Sequence, residues 1–231
     1  MTRSAWSLLA VAAVILFFLG YRKMAIASAT SKPPIAAPAH DDQLAAHAGQ
    51  EKAVFAGGCF WGTQTVFQQV KGVLHTEAGY SGGSAATATY AQVTTETTGH
   101  AESVEVTYDP AQITYGTLLR IFFSVAHDPT QLNRQGPDVG TSYRSAIFYT
   151  SDRQHTIAAD YIQQLDNAHA FSGKIVTQLV PLKAFYKAED YHQDYAVKNP
   201  NNPYIQICDV PKTAALKAQF PQLFKQYKPA S

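Results

Sequence analysis

Residues 102–108, ESVEVTY, alternate polar and apolar side chains and stop at Asp109-Pro110. This is the pattern of a β-strand with one face on a core and one toward water. Residues 115–127, YGTLLRIFFSVAH, then space their apolar positions along one face of a helix that Asp128-Pro129 closes. A half-wet strand and a one-sided helix bury each other as two layers. The pattern repeats outward. Upstream, residues 52–56 (KAVFA) read as a short buried strand ended by Gly57-Gly58. A helix starts near Trp61, carries Val66, Phe67 and Val70 on one face and stops at Gly72; residues 73–80 are a second strand and 81–89 a loop. Downstream, residues 145–150 and 175–182 read as strands. Residues 152–169, 190–198 and 213–225 read as helices, the last bent or cut by Pro221. The expected architecture is an α+β two-layer sandwich with a mixed sheet, helices mainly on one face, and long site-forming loops such as residues 130–143.

With 46% hydrophobic and 15% charged residues in 231, the chain is neither disordered nor a multi-span membrane protein. Basic and acidic residues number 18 and 17, and Arg3, Arg22, Lys23 and Lys32 precede the folded part; there is no global attraction to nucleic acid. Cys59 and Cys208 are the only thiols, which excludes a disulfide-knotted mini-fold, a four-cysteine zinc site and a Cys-x-x-Cys redox motif. No pair of histidines has metal-ligand spacing with carboxylate partners, and no dinucleotide fingerprint is present.

Residues 5–20 are almost wholly apolar and follow Arg3, as in an export signal. The positive charge of Tyr21-Arg22-Lys23 also suits an uncleaved membrane anchor. Residues 1–27 are accordingly an export signal or membrane anchor, 28–50 a flexible Ala/Pro-rich linker, and 51–231 the functional domain, exported to the periplasm or anchored facing it.

Gly57-Gly58-Cys59-Phe60-Trp61-Gly62 sets a thiol where a strand turns into a helix. Unpaired N–H groups and the helix dipole there favour thiolate. The alternative is a small buried cysteine with Phe60 and Trp61 as core. The motif Gly-Cys-Phe-Trp-Gly resembles the signature of the A-type peptide methionine sulfoxide reductases. Gly79-Tyr80-Ser81-Gly82-Gly83, Gly99-His100-Ala101-Glu102, His127-Asp128-Pro129, Tyr143-Arg144-Ser145 and Tyr191-His192-Gln193 resemble that family's other motifs in the same order, over about residues 51–212.

Reducing a sulfoxide needs a nucleophile at sulfur and a proton donor at oxygen. The resemblance assigns Cys59 as nucleophile and Glu102 as acid. It gives Tyr90 and Tyr143 as phenols that hydrogen-bond the oxygen, Phe60 and Trp61 as walls around the S-methyl group, and Asp138 as part of the polar network. His100 and His192 read as structural. The implied reaction converts methionine S-sulfoxide, free or in proteins, to methionine through a cysteine sulfenic acid. It uses no metal or cofactor, only an external thiol donor such as a thioredoxin-like protein, and the enzyme is a monomer. The rival readings are a cysteine hydrolase or acyltransferase using Cys59 with His100 or His192, and a non-catalytic periplasmic binding module with a Cys59–Cys208 disulfide. Residues 204–211, stiffened by prolines, read as extended and packed, so the donor is expected to reduce Cys59 without help from Cys208.

Overall fold

The structure, a computed structural model, describes residues 34–229. The signal or anchor at 1–27 and the start of the linker lie outside the described residues, among which no helix is long and apolar enough to cross a membrane. Six strands form a mixed sheet in the order β7-β6-β1-β3-β2-β8. They are β1 (Glu51–Gly57), β2 (Val73–Ser81), β3 (Ala101–Tyr108), β6 (Ser145–Tyr149), β7 (Gln178–Pro181) and β8 (Phe185–Lys187). All neighbours are antiparallel except β6 and β7. A separate two-residue ladder joins β4 (Arg134–Gln135) to β5 (Asp138–Val139).

The helices are α1 (Phe60–Gln68), α2 (Tyr90–Val93), α3 (Tyr115–Ile121), α4 (Asp152–Asn167), α5 (Tyr195–Lys198) and α6 (Val210–Gln219). Alternation divides each central strand. Ala53 and Phe55 of β1, Val104 and Val106 of β3 and Ile147 of β6 face the main core with Val66 and Phe67 of α1, Leu118 of α3 and Tyr161 of α4. Val54, Ala56, Ala101, Ala146 and Phe148 make a smaller cluster on the opposite face. The expected α+β architecture with helices on one face is what forms.

Several local readings change. Strand β3 is buried along its length except at Glu105, because its second face is covered too: Ala101 there belongs to a cluster against which Val180, Leu182 and Phe185 pack. Residues 190–198 are not one helix. A 3₁₀ turn, Asp190–His192, precedes α5, and Asp194 between them adopts φ 58°. Residues 204–211 are helical, not extended: a π turn, Ile205–Asp209, leads directly into α6, and Pro211 sits in its first turn, where proline costs no hydrogen bond. Helix α6 ends before Pro221.

The described end of the linker is not free. Arg120 Nε donates to Ile35 O, Tyr161 Oη to Ala36 O and Gln164 Nε2 to Ala37 O. Asp41 accepts from Thr114 Oγ1 at 2.5 Å and Gly116 N at 2.8 Å, capping α3. Residues 34–50 form a strap docked on the helical layer, which corrects the flexible-linker reading for that stretch.

Candidate active site

Strand β1 ends at Gly57, Gly58 turns the chain with φ 84°, and Cys59 is the N-cap residue of α1. A side chain at Gly58 would meet Gln135 at 2.4 Å, so the loop carrying Gln135 packs directly over the turn. The helix N-terminus is not left for the sulfur alone: Phe60 N donates to Glu102 Oε2 at 3.0 Å. Glu102 is 2% exposed and enters from β3 on the helix face, where the period-2 pattern aligns it with Val104 and Val106.

The electrostatics follow from this burial. Burial pushes the Glu102 carboxyl up to about 8, and the nearby Asp138 adds to it against the Phe60 N–H. Burial, then Glu102 and Asp209, push the Cys59 thiol well above its usual value, while the Trp61 backbone N–H and Lys212 oppose. The expected thiolate is therefore a thiol in the resting protein, because two carboxyl groups and desolvation outweigh the helix terminus.

The structure brings the other expected residues to this point. Tyr90 opens α2, its N–H held by Glu189 Oε1 at 2.8 Å. Tyr143 closes a turn pinned by Glu96, which accepts from Ser142 N and Ser142 Oγ. Burial raises both phenols above the usual tyrosine range, and Glu102 and Cys59 raise them further, so both rings stand beside the thiol and the acid. Asp138 accepts from Tyr204 Oη at 2.5 Å. Phe60 is buried against Tyr80 and His192, with ring centroids 5.8 and 4.9 Å away. Trp61 stacks on Tyr195 at 3.8 Å, meets Tyr204 edge-on and donates its indole N–H to His192 Nδ1 at 3.2 Å.

A cavity of about 300 Å³ opens beside the sulfur, lined among others by Cys59, Asp138, Tyr204, Cys208 and Lys212. Tyr204, Tyr195, Glu189 and Lys212 had no sequence signal: each arrives from the C-terminal third and acquires a role only through packing. His100 bonds Ser84 O and Gly83 N, and His192 Nδ1 accepts from the Trp61 indole while its buried Nε2 finds no partner among the described residues. Among the described residues, no cluster of His, Cys, Asp or Glu could hold a metal ion.

A buried thiol with a protonated carboxyl and two phenols, and no imidazole bonded to it among the described residues, suits a thiol-dependent reductase and not a cysteine hydrolase. The family model described as peptide methionine sulfoxide reductase matches residues 51–223. The chain is 57% identical over 178 residues to peptide methionine sulfoxide reductase MsrA 2 of Mesorhizobium japonicum, covering 77% of this chain and 91% of that protein. It is 49% identical over 171 residues to the Sulfolobus acidocaldarius MsrA, covering 74% and 96%. Among solved structures, reduced Mxr1 of Saccharomyces cerevisiae aligns with TM-score 0.60 and 32% identity over 69% of this chain and 94% of that one. Methionine sulfoxide reductase A of Corynebacterium diphtheriae aligns with TM-score 0.57 and 39% identity, over 67% and 77%. The chain belongs to the peptide methionine sulfoxide reductase family.

Proposed function

We propose that this protein reduces methionine S-sulfoxide, free or in proteins, with Cys59 as nucleophile and Glu102 as proton donor. The observation that carries the reading is Glu102, a buried carboxyl raised to about 8 and hydrogen-bonded to the residue that follows Cys59. Tyr90 and Tyr143 hold the sulfoxide oxygen, and Phe60 and Trp61 hold the S-methyl group. As the Cys59 sulfur bonds to the substrate sulfur, Glu102 delivers its proton to the sulfoxide oxygen and takes up the proton that the Cys59 thiol releases. The oxygen then passes to Cys59 as a sulfenic acid and methionine leaves.

The cavity shared with Cys208 favours a second step that departs from the sequence expectation. The Cys208 sulfur attacks the sulfenic acid, water leaves, and the Cys59–Cys208 disulfide is returned to two thiols by an external dithiol such as a thioredoxin-like protein. The apolar segment at 5–20 supports export, with residues 1–27 as a cleaved signal or a membrane anchor and a periplasmic donor. Fusing residues 1–50 to a reporter active only outside the cytoplasm tests the export reading, and a silent reporter refutes it.

Replacing Cys59 by Ser tests the chemistry: methionine formation from the sulfoxide should vanish while the far-ultraviolet circular dichroism is kept. Activity within about tenfold of the parent would refute the assignment, since an alcohol is far harder to ionise than a thiol.

A further inference from the structure

No step of the reaction just described passes through Asp209. Asp209 is 1% exposed, and its carboxylate oxygens find no hydrogen-bond partner among the described residues. Its counter-charge is Lys212 Nζ, 3.6 Å away and itself only 18% exposed. Burial pushes the Asp209 carboxyl up to about 6 against the pull of Lys212, so the carboxyl is ionised at neutral pH. Desolvating such a pair is not by itself a source of stability.

The pair lies on Gly62. A Cβ at Gly62 would stand 2.2 Å from Asp209 Oδ1 and 2.5 Å from Lys212 Nζ, contacts that no side chain can make. Gly62 is not among the glycines with positive φ, so clearance and not backbone freedom requires glycine here. It belongs to the first turn of α1, which Cys59 caps. Asp209 in turn follows Cys208 and ends the π turn Ile205–Asp209, and Lys212 lines the cavity together with Cys59 and Cys208. The two ends of this contact thus carry the two thiols of the protein.

We propose that Gly62 is a positioning residue for the second thiol: lacking a side chain, it seats the Asp209–Lys212 pair on the first turn of α1, and this brace holds the Cys208-bearing turn at the cavity of Cys59. Its value to turnover rests on the reading of Cys208 as the resolving thiol; the placement itself does not.

Diamide provides a probe of placement alone, because it takes two electrons and two protons from the two thiols, leaving a disulfide and the hydrazine form of the reagent. The bridging rate is followed by mass spectrometry in the parent, Gly62→Ala, Asp209→Ala and the double variant. Methionine formed in a single turnover is measured in parallel. Each single variant should bridge about tenfold more slowly, and the double variant no more slowly than the worse single one, because both remove the same contact. In Gly62→Ala the single-turnover rate should stay within about twofold, since the contact does not touch the sulfoxide; Asp209→Ala also removes a carboxyl that raises the Cys59 thiol, so its single-turnover rate should rise and not fall. Bridging that is unchanged in both single variants, multiplicative losses in the double, or no bridging in the parent would each overturn the brace. A parallel fall in single-turnover rate would do so as well, by making Gly62 part of the Cys59 site. Should Gly62→Ala fail to fold, Asp209→Ala tests the contact from the other side. A parent that bridges with diamide but not after sulfoxide treatment would keep the brace and remove Cys208 from the cycle.

Discussion

Glu102 shows how a single residue can set the pH behaviour of the whole site. Its carboxyl, raised to about 8 by burial, is a proton donor at neutral pH and loses that proton as the pH passes 8. The single-turnover rate of sulfoxide reduction should fall along one ionisation there. Glu102→Gln should be roughly a hundredfold slower and lack that limb; a parent rate flat to pH 9.5 would remove Glu102 as the acid. The same shift has a stability sign. Between the ordinary value of 4.5 and about 8 the native protein keeps a proton that the unfolded chain has released. Stability therefore declines as pH rises through this window. Urea melts at pH 5 and 8 should show that decline in the parent and a smaller one in Glu102→Gln. Trp61→Ala should lower kcat/KM several-fold by removing the ring stacked on Tyr195, whereas equal efficiency would make Trp61 mere core. Cys59 and Glu102 were legible through the motifs that carry the family resemblance, since the strand pattern alone would leave Glu102 an ordinary carboxylate. Tyr204 and Asp209 were not, since nothing local in the sequence marks which distant surface they meet.

Among the elements, the strap at residues 34–50 was the least legible. Its composition has no period, and it binds through the carbonyls of Ile35, Ala36 and Ala37, groups that every residue owns. Its side chains add His40 on Asp160, Asp42 on Arg153 and Asp41, which takes the N–H of Gly116 and the hydroxyl of Thr114 at the start of α3. Asp41→Ala should cost about 1 kcal/mol, as loss of a helix cap does, with activity unchanged because α3 lies away from Cys59 in sequence and function. An unchanged urea midpoint would mean that Thr114, which accepts from Thr117 N, caps the helix alone. The π turn before α6 was misread for a related reason. Prolines at 200, 203 and 211 suggest extended chain, yet the last occupies a helix start, where its missing N–H has no partner to lose.

For the whole molecule, the alternation of β3 was enough to propose a helical layer, because its apolar positions Val104, Val106 and Tyr108 share one face and join the main core. The sequence pattern could not show that the C-terminal segment returns to the first strand-to-helix junction. That return gives the catalytic cycle a mechanical consequence. A Cys59–Cys208 bond would close a loop of roughly 150 residues, and constraining the unfolded chain so widely is worth up to about 5 kcal/mol before strain is subtracted. In a domain of this size each kcal/mol moves the midpoint by about 2–4 °C. Enzyme treated with sulfoxide and no reductant should therefore melt several degrees above its reduced form, while Cys208→Ser treated identically should not. A lower midpoint in the treated parent would mean that the π turn must unwind for the sulfurs to meet, so that strain in the helical segment consumes the gain in loop entropy.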